Sequence, residues 1–247
     1  MPEQLTGFES VARAIDEMAA GGESVSVLMY LEGSDNPEVE SVAEKARVLG
    51  VECIQATSND MARMAVGHSP SDEPPSLLAM RGREVGGDLL DAFARGGIVW
   101  LLFEPKYTGN VGFSIRTAEV SGATAVVVDA EMTHDERRSV ERQSVRATRY
   151  IPTFWEDSRL VVKMAKDCGY RVVCIEDVGN VEPWEADLAG DVLCVVGSER
   201  DGIPEWLLSQ ADLVVRLPMD GFVPSYNLQV AVSVVALESL RQRLSQG

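Results

Sequence analysis

The chain has 247 residues, with 22 Lys and Arg against 39 Asp and Glu, a formal charge of −17, and 45% hydrophobic residues. That balance suits a folded chain with one large or two modest cores. It offers no apolar run near the roughly 18 residues of a membrane helix and no signal-like start. Four cysteines (Cys53, Cys168, Cys174, Cys194) without a CxxC pair, and two histidines (His68, His134), disfavour a disulfide frame and exclude a histidine-rich metal centre. The expectation is a cytoplasmic protein with reduced, mostly buried thiols, no metal and no membrane partner. The acidity repels nucleic acid at long range, and only four of the basic residues are lysines.

Residues 8–20 place Phe8, Val11, Ala12, Ile15, Met18 and Ala19 on one helical face, and Gly21-Gly22 ends the segment. A strand is expected at residues 24–31 (SVSVLMYL) and a helix at 37–49, stopped by Gly50. A short strand follows at 51–54, then a loop at 67–75 (GHSPSDEPP) and an apolar stretch at 76–80. The polar, Gly-rich residues 81–87 and a short amphipathic segment ending at Gly96-Gly97 mark a boundary. The expected division is a small domain over 1–82, a linker over 83–97 and a second domain over 98–247.

From Ile98 the pattern changes to short, fully apolar runs: 98–103 (IVWLLF), 125–128 (AVVV), 172–175 (VVCI), 192–196 (VLCVV) and 213–217 (LVVRL). Runs without alternation, spaced by helical patterns, indicate a parallel sheet covered on both faces, so the fold class is α/β. In such sheets ligands bind beyond the carboxyl ends of the strands. Three of these ends carry glycines and polar residues: EPKYTGNVGFSIRTAE after 98–103, GSERDGIPEW after 192–196, and PMDGFVPSYNLQVAV after 213–217. Taken singly, Gly112 suits a relaxed turn, Gly197 and Gly202 suit loops, and Ser225 or Asn227 suits a helix cap. The chain holds no GxGxxG, GxxxxGK[ST] or GxSxG, which disfavours dinucleotide, P-loop and serine-hydrolase chemistry.

Together the three segments resemble the three motifs of the SpoU/TrmH-type RNA 2′-O-ribose methyltransferases of the SPOUT superfamily. Asn110, Gly112 and Arg116 match the first, Gly197, Glu199 and Gly202 the second, and the run from Leu217 through Pro218, Met219, Asn227 and Leu228 the third. Order, spacing and strand context agree over residues 98–243, about 60% of the chain. The resemblance implies a trefoil-knotted parallel-sheet domain, despite the rarity of knots. It implies S-adenosylmethionine as cofactor, held by Gly197, Leu217, Met219, Tyr226, Asn227, Leu228 and Gly202, largely through backbone groups. It also implies a homodimer joined through the knotted region, for which the apolar helical stretch 227–240 is suited. Tyr226 stands where the family has Leu, and Gln229 where it has the final Ser of the third motif.

The implied reaction is methyl transfer to a ribose 2′-hydroxyl of tRNA or rRNA, with Arg116, Asn110, Glu199 and Asn227 catalytic. A guanidinium with pKa above about 12 is a poor base. Arg116 is therefore read as a phosphate clamp and a stabiliser of the developing alkoxide, and Glu199 as the group orienting Arg116 or Asn110. For RNA, Arg138, Arg142, Arg146 and Arg149 fall on one face of an expected helix, with Arg137 and Tyr150 beside them. The competing reading of that stripe is a solvated face paired with Glu136 and Glu141. Residues 1–82 resemble, more weakly, the small L30e-like RNA-binding domain that precedes such catalytic domains, with αβαβ order and few basic residues. Two rival functions are a catalytically inactive SPOUT-fold RNA-binding protein and a SPOUT base methyltransferase. The Asn-x-Gly-x-x-x-Arg pattern favours ribose.

Overall fold

A computed structural model describes residues 3–246, and it divides into two compact units, Met1–Val85 and Gly86–Gly247. The first runs β1 (Glu3–Thr6), α1 (Phe8–Ala19), β2 (Val25–Leu31), α2 (Pro37–Val48), β3 (Glu52–Ala56), α3 (Ser58–Met64) and β4 (Leu77–Arg81). Its sheet has the order β1-β4-β2-β3, with β2 and β3 parallel and the other pairings antiparallel. Local chemistry sets the boundaries. Asn36 accepts from the Glu38 amide and Pro37 opens α2, while Gly50, at φ 82°, turns the chain beyond its end. Val11, Ile15, Leu28, Val39, Ala43 and Leu77 meet in the core, the apolar faces of α1 and α2 closing on the central strands.

The order is thus βαβαβαβ, not αβαβ. The sequence reading passed over β1 because EQLT carries one buried side chain, Leu5, and passed over α3 because its seven residues bury only Met61. Both depend on tertiary pairing more than on periodicity.

The second unit runs α4 (Leu89–Ala94), β5 (Ile98–Phe103), α5 (Thr108–Val120), β6 (Ala125–Asp129), α6 (His134–Gln143), β7 (Thr153–Phe154), α7 (Ser158–Asp167), β8 (Arg171–Ile175), β9 (Val192–Val196), α8 (Glu205–Leu208), β10 (Leu213–Val215) and α9 (Leu228–Gln246). The six strands lie in the order β10-β8-β9-β5-β6-β7, every pairing parallel. Alternate side chains feed two cores. Ile98, Trp100 and Leu102 pack with Val111, Ile115, Val232 and Val235 of α5 and α9, whereas Val99 and Leu101 pack with Phe93, Val161, Val162 and Leu207 on the opposite face. This two-sided burial explains the unbroken apolar runs.

Two expectations need correction. Residues 83–97 are not a free linker, because an Asp88–Asp91 capping box starts α4, whose Leu89, Ala92 and Phe93 are buried in the second core. The four arginines do not share a helix. α6 ends at Gln143, and Val145 and Arg146 take positive φ (55° and 62°), so Arg146 and Arg149 follow a reversed chain into a 3-10 turn at Ala147–Arg149. Among the described residues, no helix is long and apolar enough to cross a membrane and no metal-holding cluster of His, Cys, Asp and Glu occurs.

Candidate active site

The carboxyl ends of β5, β9 and β10 lead into the three singled-out segments, and hydrogen bonds tie these together. Asn110, in the first turn of α5, donates through Nδ2 to Glu199 Oε1 at 2.6 Å. The other Glu199 oxygen accepts the Lys106 main-chain N–H at 2.8 Å, fixing the loop before α5. Asn227 donates through Nδ2 to Asn110 Oδ1 at 3.1 Å, and its own Oδ1 caps α9 by accepting the Gln229 amide at 2.9 Å. Glu199, Asn110 and Asn227 therefore form one polar relay across segments up to 117 residues apart in sequence. Glu199 orients Asn110. Arg116 takes no part.

Arg116 lies six residues further along α5, exposed and without a side-chain partner among the described residues. Six residues at 100° each turn it well away from Asn110. Phe113 and Val120, three residues before it and four after it on α5, are exposed apolar side chains, and α9, which packs against α5, exposes Val230, Val234 and Leu237.

The loop after β9 is tightly closed. Ser198 and Gly202 exchange main-chain hydrogen bonds, and a Cβ at Gly197 would meet the Gly202 carbonyl and come within 2.5 Å of the Ile203 nitrogen. Gly202, at φ 64°, faces Glu176 Oε2, which accepts the Ile203 amide at 2.8 Å. Glu176, at the end of β8, was missed by sequence reasoning. Its only signal is a contact between distant strand ends, which no local pattern carries.

The loop after β10 is closed differently. The Tyr226 hydroxyl donates to the Pro218 carbonyl at 2.9 Å, so the departure from Leu joins the ends of this loop. Leu217 and Leu228 are buried beneath it, whereas Met219 and Tyr226 stand exposed. The amides of Gly197, Leu217 and Met219 donate to no described residue. Unspent main-chain donors beside buried leucines, in glycine-containing loops, suit a ligand with an aromatic, hydrogen-bonding ring, so these residues fit an adenosyl group. Gln229 turns along α9, donating to Ser233 Oγ at 2.7 Å. Gly112 is no turn glycine. A Cβ there would lie 2.5 Å from Gln143 Cβ and 2.8 Å from the Val140 carbonyl, so it permits the close approach of α5 and α6.

A family model described as the SpoU rRNA Methylase family matches residues 97–237, more than half of the chain and all three segments. The chain belongs to this family. Among similar proteins, the 23S rRNA (guanosine-2'-O-)-methyltransferase RlmB of Xanthomonas axonopodis pv. citri is 26% identical over 258 residues, covering 97% of this chain and 96% of that relative. Its namesake from Pseudomonas syringae pv. tomato is 29% identical over 222 residues, covering 89% and 88%. In fold, this SpoU-family chain resembles AviRb of Streptomyces viridochromogenes, solved with AdoMet, at TM-score 0.58 and 22% identity, covering 99% of this chain and 91% of that one. It also resembles an AdoMet-bound rRNA methyltransferase of Sinorhizobium meliloti at TM-score 0.59 and 21% identity, covering 98% and 87%.

Proposed function

We propose that this chain is an S-adenosylmethionine-dependent methyltransferase acting on a ribose 2′-hydroxyl of rRNA. The observation that carries the reading is the Glu199–Asn110–Asn227 relay joining the three strand-end segments of a SpoU-family domain. The bound cofactor supplies an electrophilic methyl on sulfur. Transfer would join that methyl to the ribose O2′ as the S–CH3 bond breaks, with the 2′-hydroxyl proton leaving to solvent. The loops after β9 and β10 hold the adenosyl part through Gly197, Gly202, Leu217, Met219, Tyr226, Asn227 and Leu228. With both amides pinned by the relay, Asn110 and Asn227 present fixed dipoles to the ribose without reorganising during the reaction. Arg116 clamps a phosphate and stabilises the developing alkoxide.

Arg116 and Asn110 point apart on α5. A homodimer joined across Phe113, Val120, Val230, Val234 and Leu237 covers that apolar face and sets Arg116 at the seam between two sites. The same reading includes a trefoil knot in this domain. Arg138, Arg142, Arg146 and Arg149 form an RNA-contacting patch. In its favour, none of their side chains pairs with a described residue. Glu136, one of the two carboxylates in the competing reading beside Glu141, is instead engaged by Thr133 in a capping box, and the Thr133 main-chain N–H holds its carboxyl below the ordinary carboxylate value. Residues 1–82 serve as an L30e-like RNA-guiding domain, and the enzyme works in the cytoplasm.

The deciding experiment incubates the protein with ribosomal RNA and methyl-labelled S-adenosylmethionine, then digests the RNA to nucleosides. A labelled 2′-O-methylnucleoside is expected. Label on a base instead identifies a base methyltransferase. Protein that binds RNA but neither S-adenosylhomocysteine nor label is the inactive RNA-binding form.

A further inference from the structure

On the sheet face opposite α5 and α9, α7 and α8 enclose a groove of about 430 Å³. Its charged lining comes from Arg159, Lys163, Lys166 and Asp167 of α7, and Trp206 and Gln210 complete its wall. Two of the chain's four lysines stand here, in a protein with 39 acidic residues. Only one of the three cations is neutralised within it: Lys163 Nζ pairs with Asp167 at 2.6 Å. Lys166 donates to a neutral partner, Gln210 Oε1, at 3.1 Å. The Arg159 guanidinium lies 4.0 Å over the Trp206 ring and makes no hydrogen bond or ion pair with a described residue. Stacking fixes the plane of the guanidinium while leaving its N–H fork free, the geometry that grips a phosphate through two oxygens.

Two of the groove's residues are also tied to strand ends of the same sheet. Arg159 sits in the first turn of α7, whose Ser158 amide is anchored to Asp129 at the end of β6 (2.9 Å). Trp206 follows the Gly197–Ile203 loop directly and packs edge-on against Phe103, the last residue of β5, with ring centroids 6.2 Å apart. Arg159 and Trp206 are thus tied to the carboxyl ends of β6 and β5, the end of the sheet from which the three segments leave.

We propose that the α7–α8 groove holds the phosphates of single-stranded RNA flanking the target ribose, with Arg159 and Lys166 as the contacting cations. This rests on the reading of the chain as an RNA methyltransferase. The test measures binding of a fluorescein-labelled ten-nucleotide oligouridylate by anisotropy between 50 and 200 mM salt, with the full chain and its R159A/K166A variant. Loss of two phosphate contacts should weaken binding roughly tenfold and lower the slope of log K against log salt by about 1.4, at about 0.7 per contact on a single strand. The S-adenosylhomocysteine affinity and melting temperature stay at the parent values. An unchanged affinity and slope, with binding lost instead in R138A/R142A, overturns the groove while leaving the methyltransferase reading intact. So does a parent protein that methylates rRNA yet ignores the oligouridylate. Displacement of the oligouridylate by an equal concentration of adenosine monophosphate overturns the strand-binding proposal in favour of a mononucleotide site. A parent that neither methylates rRNA nor binds the oligouridylate removes both readings together.

Discussion

Asn110 and Asn227 each use both ends of the amide or one end plus a cap, and this decides what their neighbours do. Removing the Glu199 carboxylate releases Asn110 Nδ2 and the Lys106 amide together. Glu199→Ala should therefore lower the transfer rate on the order of 10²-fold, the scale of a small misplacement of a reacting group, with S-adenosylhomocysteine affinity changed less than about threefold. Single-turnover methylation and calorimetric titration check the two halves. Arg116 differs because no described residue pairs with its side chain. Arg116→Ala should abolish transfer, keep cofactor affinity and leave the melting temperature unchanged. Loss of cofactor binding in folded Arg116→Ala would assign it to the wrong partner. Glu176 was invisible in the sequence for the same reason that the relay was: each bond joins strand ends far apart in the chain, and only the sheet brings them within reach.

Elements set by local chemistry or by two-sided burial were legible. α1, α2 and β5 fall within a residue or two of the limits expected from Gly stops, a Pro-opened turn and unbroken apolar runs. Elements held only by pairing were not, as with β7, two residues long and attached to β6 through Thr153 and Phe154. The arginine spacing misled for a definite reason. Helical spacing describes a face only while the helix lasts, and Val145 and Arg146 leave the right-handed region immediately after α6. Gly112 shows the opposite case, a motif residue read as a turn that proves to be a packing residue. Gly112→Ala should cost about 1–3 kcal/mol through the overlap with Gln143 and Val140, read as a lower denaturant midpoint with unchanged slope. Methylation by the surviving folded fraction should fall as well, since α5 carries Asn110.

At the scale of the whole molecule, the sheet itself imposes a pH limit. Burial pushes the thiols of Cys174 and Cys194, on neighbouring central strands, from an ordinary 9.0 up to about 12. Unfolding restores the ordinary value, so the stabilisation from keeping them neutral is full below pH 9 and is lost as pH rises from about 9 toward 12. Denaturant midpoints should fall between pH 8 and 10.5, and fall less in a Cys174→Ala, Cys194→Ala variant. The proposed dimer makes a separate prediction. Leu237→Glu, at a side chain 61% exposed in the single chain, should shift the sedimentation mass to that of one chain and abolish transfer without unfolding. The relay also has a bearing on how the protein is made. Asn227 caps the last helix, and α9 supplies Val232, Val235 and Ala236 to the core beneath the site. During synthesis the N-terminal unit and most strands emerge while Asn110 still lacks Asn227, the second of its two side-chain partners. A chain cut before Asn227 therefore loses the helix cap, these core side chains and the completed relay in a single step.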